Sequence, residues 1–392
     1  MGVSKIRPVF VLYVAATLIL MAGADWVLSP GSPYGDDNSA HLAVAMHLAE
    51  VLGSGQSNLW WHQSNLGIPL FTAYQPLPAL MLGTLIAVVG DMIQPVILFK
   101  ASILGCWALM PLAWYRGARW YGFSAGFAVT LGLLTLTIQD PYNIGFGVRS
   151  STIRGLFTQH FGLLFLPLFV GSFKQYIDGK GLRAMTVAAF YALTAMSHLW
   201  VGLYASIAAG ALLLSEPHKL RTRVLRLMPV ATLAAFLLAW WLIPVITTNE
   251  YAGGLPWRRQ MHNGWPLEVI LQRFAAGDVF DSGRMMILTP FVFFGGLGMI
   301  HRWRSPPVRH WLVLTVLTGI FFLGRTNLGT IYNLFPLHSQ VNVMRYLTGV
   351  HICGIIAAAG SLYRLIQWSQ RLPAGVRLSV TGMASMGLIL WS

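Results

Sequence analysis

The sequence predicts an all-α, polytopic transmembrane protein with about 11 helices. Hydrophobic residues make up 56% of the chain, charged residues only 10%, and the mean hydropathy is +0.62. A soluble domain would have about a quarter of its residues charged. Apolar runs of helix length recur along the chain, and crossing roughly 30 Å of hydrocarbon takes about 20 such residues. Residues 1–392 are therefore expected to form a single transmembrane domain.

Eleven segments have the length and apolar content expected of membrane helices. They are residues 8–28, 95–115, 121–139, 161–177, 184–198, 199–215, 227–247, 286–300, 311–323, 347–366 and 376–391. The first follows Lys5 and Arg7, as in a signal peptide, but no small-residue cleavage site precedes Asp25, so we interpret it as a retained helix. Because the last helix ends at Ser392, the natural chain is expected to continue.

The charged residues predict the orientation of these helices. If the N-terminus is cytoplasmic, most of the 26 basic residues fall in inner segments, as the positive-inside rule requires. Of the 12 acidic residues, only Asp178 and Glu216 fall on that side. The net charge of +14 is thus a topology signal and not a nucleic-acid surface. The functional face is expected on the periplasmic or extracellular side of a cell inner membrane.

Four long outer loops follow from this topology: residues 29–94, 140–160, 248–285 and 324–346. The first contains an apolar stretch of 14 residues, Leu77 to Gly90, which is too short for a span. We interpret it as a helix lying along the outer interface. As a true span it would reverse every later loop and turn the basic clusters outward. The first outer loop is therefore expected to contain juxtamembrane helices.

Two motifs in the first outer loop carry polar side chains. In the first, Asp36 and Asp37 precede His41, and the four-residue spacing from Asp37 to His41 places both on one face of a helix. Capping of that helix by Asp36 or Asp37 is the structural alternative. The second motif consists of Trp60, Trp61, His62, Gly67, Pro69, Tyr74, Pro76 and Pro78. It predicts a shaped loop that closes over a headgroup, although its aromatic residues also suit an interfacial belt.

Three later motifs complete a family resemblance. They are Ser197-His198, the stretch from Trp240 to Pro244 followed by Glu250-Tyr251 and Leu255 to Trp257, and the stretch from Asn342 to Tyr346. Over most of the chain, the order of these motifs resembles that in the GT-C superfamily of polyprenyl-phosphate-dependent membrane glycosyltransferases. Members related to YfhO and to protein O-mannosyltransferases are the most similar. The resemblance implies a GT-C-like fold and leaves the substrate open.

The resemblance implies inverting transfer of a sugar from a polyprenyl-phosphate donor to a lipid, glycan or protein acceptor on the outer face. An outer-loop aspartate would act as general base and accept the proton of the attacking hydroxyl. Asp37 matches the family position best through its spacing to His41, and Asp36 is the near alternative. Asp140, at the end of the third predicted helix, matches a second acidic position, although an Asp-Pro turn explains it equally well.

The departing lipid phosphate needs cations, and arginine binds phosphate oxygens bidentately. The outer-side candidates are Arg345, Arg325, Arg258 and Arg259. Arg345 is the first choice because it precedes a late helix, in a loop that the superfamily uses for the donor. For Arg258 and Arg259, attraction to anionic lipid headgroups is the more common role. His198 lies at an apolar hairpin and is interpreted as a hydrogen-bonded structural histidine.

The cofactor prediction is limited to a divalent cation, Mg²⁺ or Mn²⁺, which is left open because superfamily members divide on metal use. Its potential ligands are Asp36, Asp37, Asp140, His41 and His62, whose spacing does not decide the matter. The chain has no Walker loop, serine elbow or His-Glu-x-x-His motif. Cys106 and Cys353 lie in apolar runs and are expected to be core residues.

Two other functions stay open. An inactive GT-C-like scaffold subunit of a larger membrane complex would share the fold without the chemistry. A transporter of lipid-linked substrates would carry ionisable residues at mid-membrane depth and a pseudo-repeat. Apart from Lys100, however, the charges cluster at helix ends. The expected partners are the lipid-linked donor and membrane lipids, with other membrane subunits in the scaffold case and no nucleic acid.

Overall fold

The computed structural model of the protein describes residues 8–31, 33–62, 64, 67–72, 74–139, 142–248, 262–335 and 337–371. This part of the chain is predominantly α-helical, as predicted. Its helices are α1 (Phe10–Ala22), α2 (Ala24–Leu28), α3 (Asn38–Gly53), α4 (Leu77–Val89), α5 (Pro95–Tyr121), α6 (Ala125–Leu134), α7 (Val148–Thr152), α8 (Phe157–Ile177), α9 (Ala184–Ser197), α10 (Leu199–Leu214), α11 (Leu220–Thr247), α12 (Leu267–Ala275), α13 (Leu288–His301), α14 (Pro306–Leu328) and α15 (Tyr346–Ser369).

Several predicted helix ends were wrong. The segment 8–28 is divided at Gly23 into α1 and α2. Helix α5 continues to Tyr121 because Gly122 adopts the left-handed conformation that ends a helix, with φ 108°. The third predicted helix, 121–139, is correspondingly shorter: α6 begins after the cap residue Ser124 and ends at Leu134. The last predicted helix, 376–391, lies outside the described residues.

Five helical segments of the described part are long and apolar enough to cross a membrane. They are Phe10–Leu28, Pro95–Tyr121, Pro217–Thr247, Pro306–Leu334 and Val343–Ser369. Shorter apolar helices of 10–17 residues, among them α6, α9, α10 and α13, accompany them. This composition is that of an integral membrane protein.

The first outer loop forms a layer of short elements. Helix α4 has 13 residues and is about 20 Å long at 1.5 Å per residue, so it is too short to span the hydrocarbon, as predicted. It packs against α3 at Gly83, where an added Cβ would lie 3.0 Å from the Ala45 carbonyl oxygen. Between the two helices, strands β1 (Trp60–Trp61) and β2 (Ile68–Pro69) pair antiparallel. This small hairpin was not predicted.

Glycines bring the central helices into backbone contact. A Cβ on Gly117 of α5 would clash with the Pro167 carbonyl of α8, and a Cβ on Gly171 of α8 would clash with the Gly117 carbonyl. Gly295 of α13 meets the Ala357 carbonyl of α15 in the same way. Small residues allow such close approach of membrane helices. The packing fixes α8 and α15, whose first turns supply the polar residues described below.

The basic segment between α10 and α11 is held by a buried ion network. Arg223, 2% exposed, contacts the carboxylates of Glu216 and Asp178, and Lys219 pairs with Glu216 at 2.7 Å. A buried arginine with two carboxylate partners anchors α11 to the ends of α8 and α10. The exposed residues Arg221 and Thr222 lie on the outside of this network.

We expect a cysteine at Thr222 to be protected from an impermeant thiol reagent added outside intact cells, because the topology predicted from the sequence places this segment in the cytoplasm. The reagent should instead label a cysteine at Ser57, an exposed position in the first outer loop. The two native cysteines, Cys106 and Cys353, are buried and should contribute no signal. If the reagent labels the Thr222→Cys variant from outside, the predicted orientation is wrong and the N-terminus lies outside the cell.

Candidate functional site

Asp37 occupies the N-cap position of α3, as the sequence allowed. Its carboxylate, however, accepts no hydrogen bond from the first turn of the helix. The side chain is exposed, and no hydrogen bond or ion pair engages it among the described residues. The capping explanation therefore accounts for the position of Asp37 and leaves its carboxylate free for chemistry.

A buried asparagine fixes the turn that carries Asp37. Asn38 is fully buried, and its Nδ2 donates to the carbonyl oxygens of Tyr34 at 2.6 Å, Ser151 at 3.0 Å and Thr152 at 3.4 Å. Gly155, with φ 74°, packs against the same turn, where a Cβ would lie 2.7 Å from the Asp37 nitrogen. The segment around α7 therefore holds Asp37 in place from more than 100 residues away in sequence.

Replacing Asn38 with alanine is expected to destabilise the protein by about 1–3 kcal/mol, since it leaves buried carbonyl groups without their donor. The measurement is a lowered melting temperature of the purified protein in detergent. Asn38→Asp should be at least as damaging, because a carboxylate faces the same carbonyl oxygens. Exposed Gln56, on the same loop, serves as the control: Gln56→Ala should change stability by less than about 0.5 kcal/mol. If the Asn38 variants and the wild type have the same melting temperature, the hydrogen bonds of Asn38 do not stabilise the protein.

Asp36 differs from Asp37 in having a partner. Its carboxylate lies 2.7 Å from Nη1 of Arg154, whose Nε also donates to the Tyr142 carbonyl. Both side chains of the pair are about half exposed, so the pair adds little stability. The Asp36 nitrogen also donates to the Ile153 carbonyl, so the pair is the second contact of Asp36 with the segment around α7. Of the two acids, Asp37 is the one available to a substrate.

His41 lies one turn after Asp37 on α3, as the spacing predicted. Its ring centroid is 5.6 Å from that of Tyr74 and 5.8 Å from that of Phe157. Burial lowers the pKa of His41 below its usual 6.5, although the Asp37 charge and a hydrogen bond to the Gly155 backbone act in the opposite direction. The imidazole is therefore neutral at pH 7. It packs α3 against Tyr74 and Phe157 without adding a charge.

Arg345 brings a cation to the same place. It stands immediately before α15, and its Nη1 donates to Oε1 of Gln159 at 3.2 Å. Nε2 of Gln159 in turn donates to the carbonyl oxygens of Ile144 at 3.2 Å and Gly145 at 3.1 Å. Asp37 and Tyr74 lie near enough to Arg345 to influence its charge, without a direct ion pair to Asp37 among the described residues. Asp37, predicted as the base, and Arg345, predicted to bind the phosphate, thus lie near each other although they are far apart in the sequence.

Tyr74 and the first turn of α8 complete this cluster. Nε2 of Gln75 donates to Oγ1 of Thr158 at 2.9 Å, and the Tyr74 hydroxyl lies 3.5 Å from the same oxygen. The loop before α4 is thereby attached to α8 beside Gln159. We refer to Asp37, His41, Tyr74, Gln159 and Arg345 as the Asp37 cluster.

His198 separates α9 from α10 with a single extended residue, at φ −160° and ψ 119°. Its buried side chain interacts electrostatically with Arg345 and His41. Among the described residues, Nδ1 of His198 has no hydrogen-bond partner, whereas we expected a hydrogen-bonded structural histidine. The hairpin predicted at this position is present.

The remaining predicted residues are elsewhere or outside the described part. Arg325 follows a kink at Gly324 in α14 and bonds to a different set of residues: Asn333 at 3.0 Å, His338 at 3.1 Å and Asn263 at 3.5 Å. Asp140, Arg258 and Arg259 lie outside the described residues, so their assigned roles stay predictions. The same holds for a meeting of Asp140 with Asp37 and His41.

The described residues do not by themselves form a metal site. They contain no group of three or more His, Cys, Asp or Glu side chains that could hold an ion. Of the predicted ligands, Asp37 offers a free carboxylate, and Asp36 is paired with Arg154. Mg²⁺ or Mn²⁺ would need several oxygen ligands. The metal therefore stays a prediction that depends on residues such as Asp140.

Sequence reasoning missed several contributors. Asn38 and Arg154 act through contacts more than 100 residues apart, for which a single sequence carries no local signal. Thr158 and Gln159 have one: with His160 they form a polar run at the start of an otherwise apolar helix. The predicted helix began at 161 and left this run in the loop, whereas α8 begins at Phe157.

Comparison with solved structures agrees with this architecture. The chain superposes on the Archaeoglobus fulgidus oligosaccharyltransferase in its apo form with a TM-score of 0.60, at 13% identity over 98% of this chain. It superposes on archaeal oligosaccharyltransferase AglB from the same organism, in complex with an inhibitory peptide and a dolichol-phosphate, with a TM-score of 0.61 at 12% identity over 96% of this chain. The fold is of the GT-C type. The GT-C-like fold predicted from the sequence is confirmed.

The likeness is one of fold, and it covers part of the larger proteins. The chain spans 55% and 54% of the two structures, about half their length. No protein-family model and no curated protein matches the chain. A third structure of the Archaeoglobus fulgidus enzyme, in complex with Zn and sulfate, matches with a TM-score of 0.57 at 11% identity over 97% of this chain and 52% of that one.

Proposed function

We propose that this protein is a membrane glycosyltransferase that moves a sugar from a polyprenyl-phosphate donor to a lipid, glycan or protein acceptor. One observation carries the proposal: contacts through His41, Tyr74 and Gln159 place the free carboxylate of Asp37 and the guanidinium of Arg345 in one cluster, within a fold shared with oligosaccharyltransferases. A sugar transfer from a lipid phosphate needs these two groups. One accepts a proton from the acceptor, and the other stabilises the departing phosphate.

In the proposed reaction, the acceptor heteroatom attacks the anomeric carbon from the face opposite the phosphate. The new bond to that carbon forms while the carbon–oxygen bond to the phosphate breaks, and its electron pair leaves with the phosphate. Asp37 takes the acceptor proton. Arg345 donates to the phosphate oxygens as their charge grows. The product is inverted at the anomeric carbon, and the lipid leaves as polyprenyl phosphate.

The other members of the Asp37 cluster are positioning residues in this scheme. Gln159 holds Arg345 through one hydrogen bond and is itself held by two backbone carbonyls. His41 is neutral and packs its ring against Tyr74 and Phe157. Such fixed neighbours limit the movement of the base and the cation, as an in-line displacement requires.

The matched structures support the class of donor. Dolichol-phosphate, a polyprenyl phosphate, is present in the AglB complex, and another structure of the Archaeoglobus fulgidus enzyme is tethered to an acceptor peptide. Because this chain spans about half of those proteins, the acceptor is left as a lipid, glycan or protein. The proposed site of reaction is the periplasmic or extracellular face. Asp140 and a divalent cation remain additional proposals, and no step is assigned to them.

The test is turnover by the purified protein in liposomes with a panel of polyprenyl-phosphate sugars. The proposal expects consumption of one donor and release of polyprenyl phosphate, both dependent on an acceptor. If no member of the panel is bound or turned over, the protein is better explained as an inactive scaffold subunit. Movement of intact donor across the bilayer, without cleavage of its glycosidic bond, would favour a transporter.

A further inference from the structure

A cavity of about 260 Å³ lies where the ends of α6, α13, α14 and α15 meet. Two arginines line it, Arg302 just after α13 and Arg364 on α15. The other lining residues include Phe127, Trp311 and Ile356. We refer to this space as the Arg302–Arg364 cavity. The Asp37 cluster contributes none of its lining residues.

The Arg302–Arg364 cavity and the Asp37 cluster lie at opposite ends of one helix. Arg345 precedes the first residue of α15, and Arg364 lies in the same helix 19 residues later. At 1.5 Å per residue, this spacing is about 28 Å, close to the thickness of the hydrocarbon core. The two places therefore face opposite surfaces of the membrane, so the cavity cannot take part in the proposed transfer.

The charges in the cavity are uncompensated by protein. Both side chains are exposed, and among the described residues no hydrogen bond or ion pair engages either of them. Gly298 of α13 lets Arg364 lie directly over the helix, since a Cβ there would be 2.7 Å from Nη1 of Arg364. Water screens the repulsion between these two exposed cations, and together they attract an anion to the space beside them. The C-terminal end of α13 carries a partial negative charge, which stabilises the nearby Arg302 cation.

The rest of the cavity is mostly apolar, with Ser124, Tyr363 and Gln367 as its polar lining residues. Phe127, Trp311 and Ile356 present rings and aliphatic groups, and Gly360 leaves open space where a side chain would otherwise project. A small inorganic anion would satisfy the arginines and leave this surface uncovered. A ligand with a phosphate and an attached acyl chain would cover both parts. Arginine suits such a phosphate because its planar group donates two parallel hydrogen bonds.

We propose that the Arg302–Arg364 cavity binds an anionic phospholipid. The phosphate lies between the two guanidinium groups, and an acyl chain extends along the apolar wall past Gly360. In the predicted topology this site faces the cytoplasmic leaflet, where anionic headgroups attract basic residues. The site is independent of the proposed transferase activity.

The test measures lipid binding to the full chain, purified in mild detergent and stripped of lipid, by native mass spectrometry. Dioleoyl phosphatidylglycerol should bind about 10-fold or more tightly than dioleoyl phosphatidylcholine. The double variant Arg302→Gln/Arg364→Gln should lose about 10- to 100-fold in affinity for phosphatidylglycerol, as expected for two charge-assisted contacts. Arg304→Gln removes a nearby exposed charge outside the cavity and should bind as wild type does.

A second variant tests the apolar part without changing charge. Gly360→Phe should fill the open space and weaken phosphatidylglycerol binding while both arginines remain. This variant still tests lipid binding if the double variant does not fold. Equal binding of the two lipids, or unchanged phosphatidylglycerol binding by the double variant or by Gly360→Phe, would overturn the proposal. Displacement of the lipid by millimolar inorganic phosphate would also overturn it, since the site would then recognise the anion alone.

Discussion

Replacing Asp37 with asparagine is expected to slow sugar transfer about 10²- to 10⁴-fold, the usual cost of losing a general base. The amide has nearly the shape of the carboxylate and is an accepted N-cap residue, so α3 should be undisturbed. It cannot take the acceptor proton at neutral pH. Initial rates at saturating donor, together with the melting temperature, measure the two effects separately.

Two further variants make the Asp37 result specific. Glu50→Gln removes an exposed acid from the same helix, about 20 Å away, and should leave the rate unchanged. Asp36→Asn breaks the contact with Arg154 and should act mainly through the position of the turn. A transfer rate that Asp37→Asn leaves intact and Asp36→Asn abolishes would make Asp36 the base. If neither variant changes a measured turnover, the reaction takes place elsewhere.

Replacing Arg345 with glutamine should reduce the transfer rate about 10²- to 10³-fold, the typical loss on removal of one donor that stabilises transition-state charge. Arg345→Lys should recover part of the rate, because it keeps the charge and loses the bidentate geometry. Arg371→Gln, at the far end of α15, removes an exposed charge and should have no effect. Rates and apparent donor affinities would be measured with a polyprenyl-phosphate sugar.

The comparison with Arg325 decides where the phosphate binds. Arg325 donates to Asn333 and lies beside His338, outside the Asp37 cluster. If Arg325→Gln weakens donor binding and Arg345→Gln does not, the phosphate belongs to the Arg325 network. The role of Asp37 would then need a different partner.

The membrane fold could be predicted because lipid imposes a strong constraint on composition. Each spanning helix must satisfy its backbone internally and present apolar side chains, and both requirements are visible in the sequence. The helix ends were less predictable. Gly122 and Ser124 mark the boundary between α5 and α6, yet the apolar runs on either side are almost continuous in the sequence.

The Asp37 cluster was partly predictable. The spacing of Asp37 and His41 follows from helix geometry, and the order of motifs pointed to Arg345. The contacts of Asn38 and of Asp36 with the α7 segment could not be predicted, because each joins positions more than 100 residues apart. That Asp37 occupies the N-cap yet forms no capping bond depends on the conformation of the turn. A single sequence does not contain this information.

The clamp formed by Asn38 also has a consequence for biosynthesis. Asn38 donates to the carbonyl of Ser151, which is encoded 113 residues later. At a synthesis rate of about 5–20 residues per second, the ribosome needs roughly 6 to 23 s to reach it. During that interval the nascent chain can insert α1, while the turn bearing Asp37 lacks the bonds that define it. The acidic turn is thus completed only after the helices that flank it have been made.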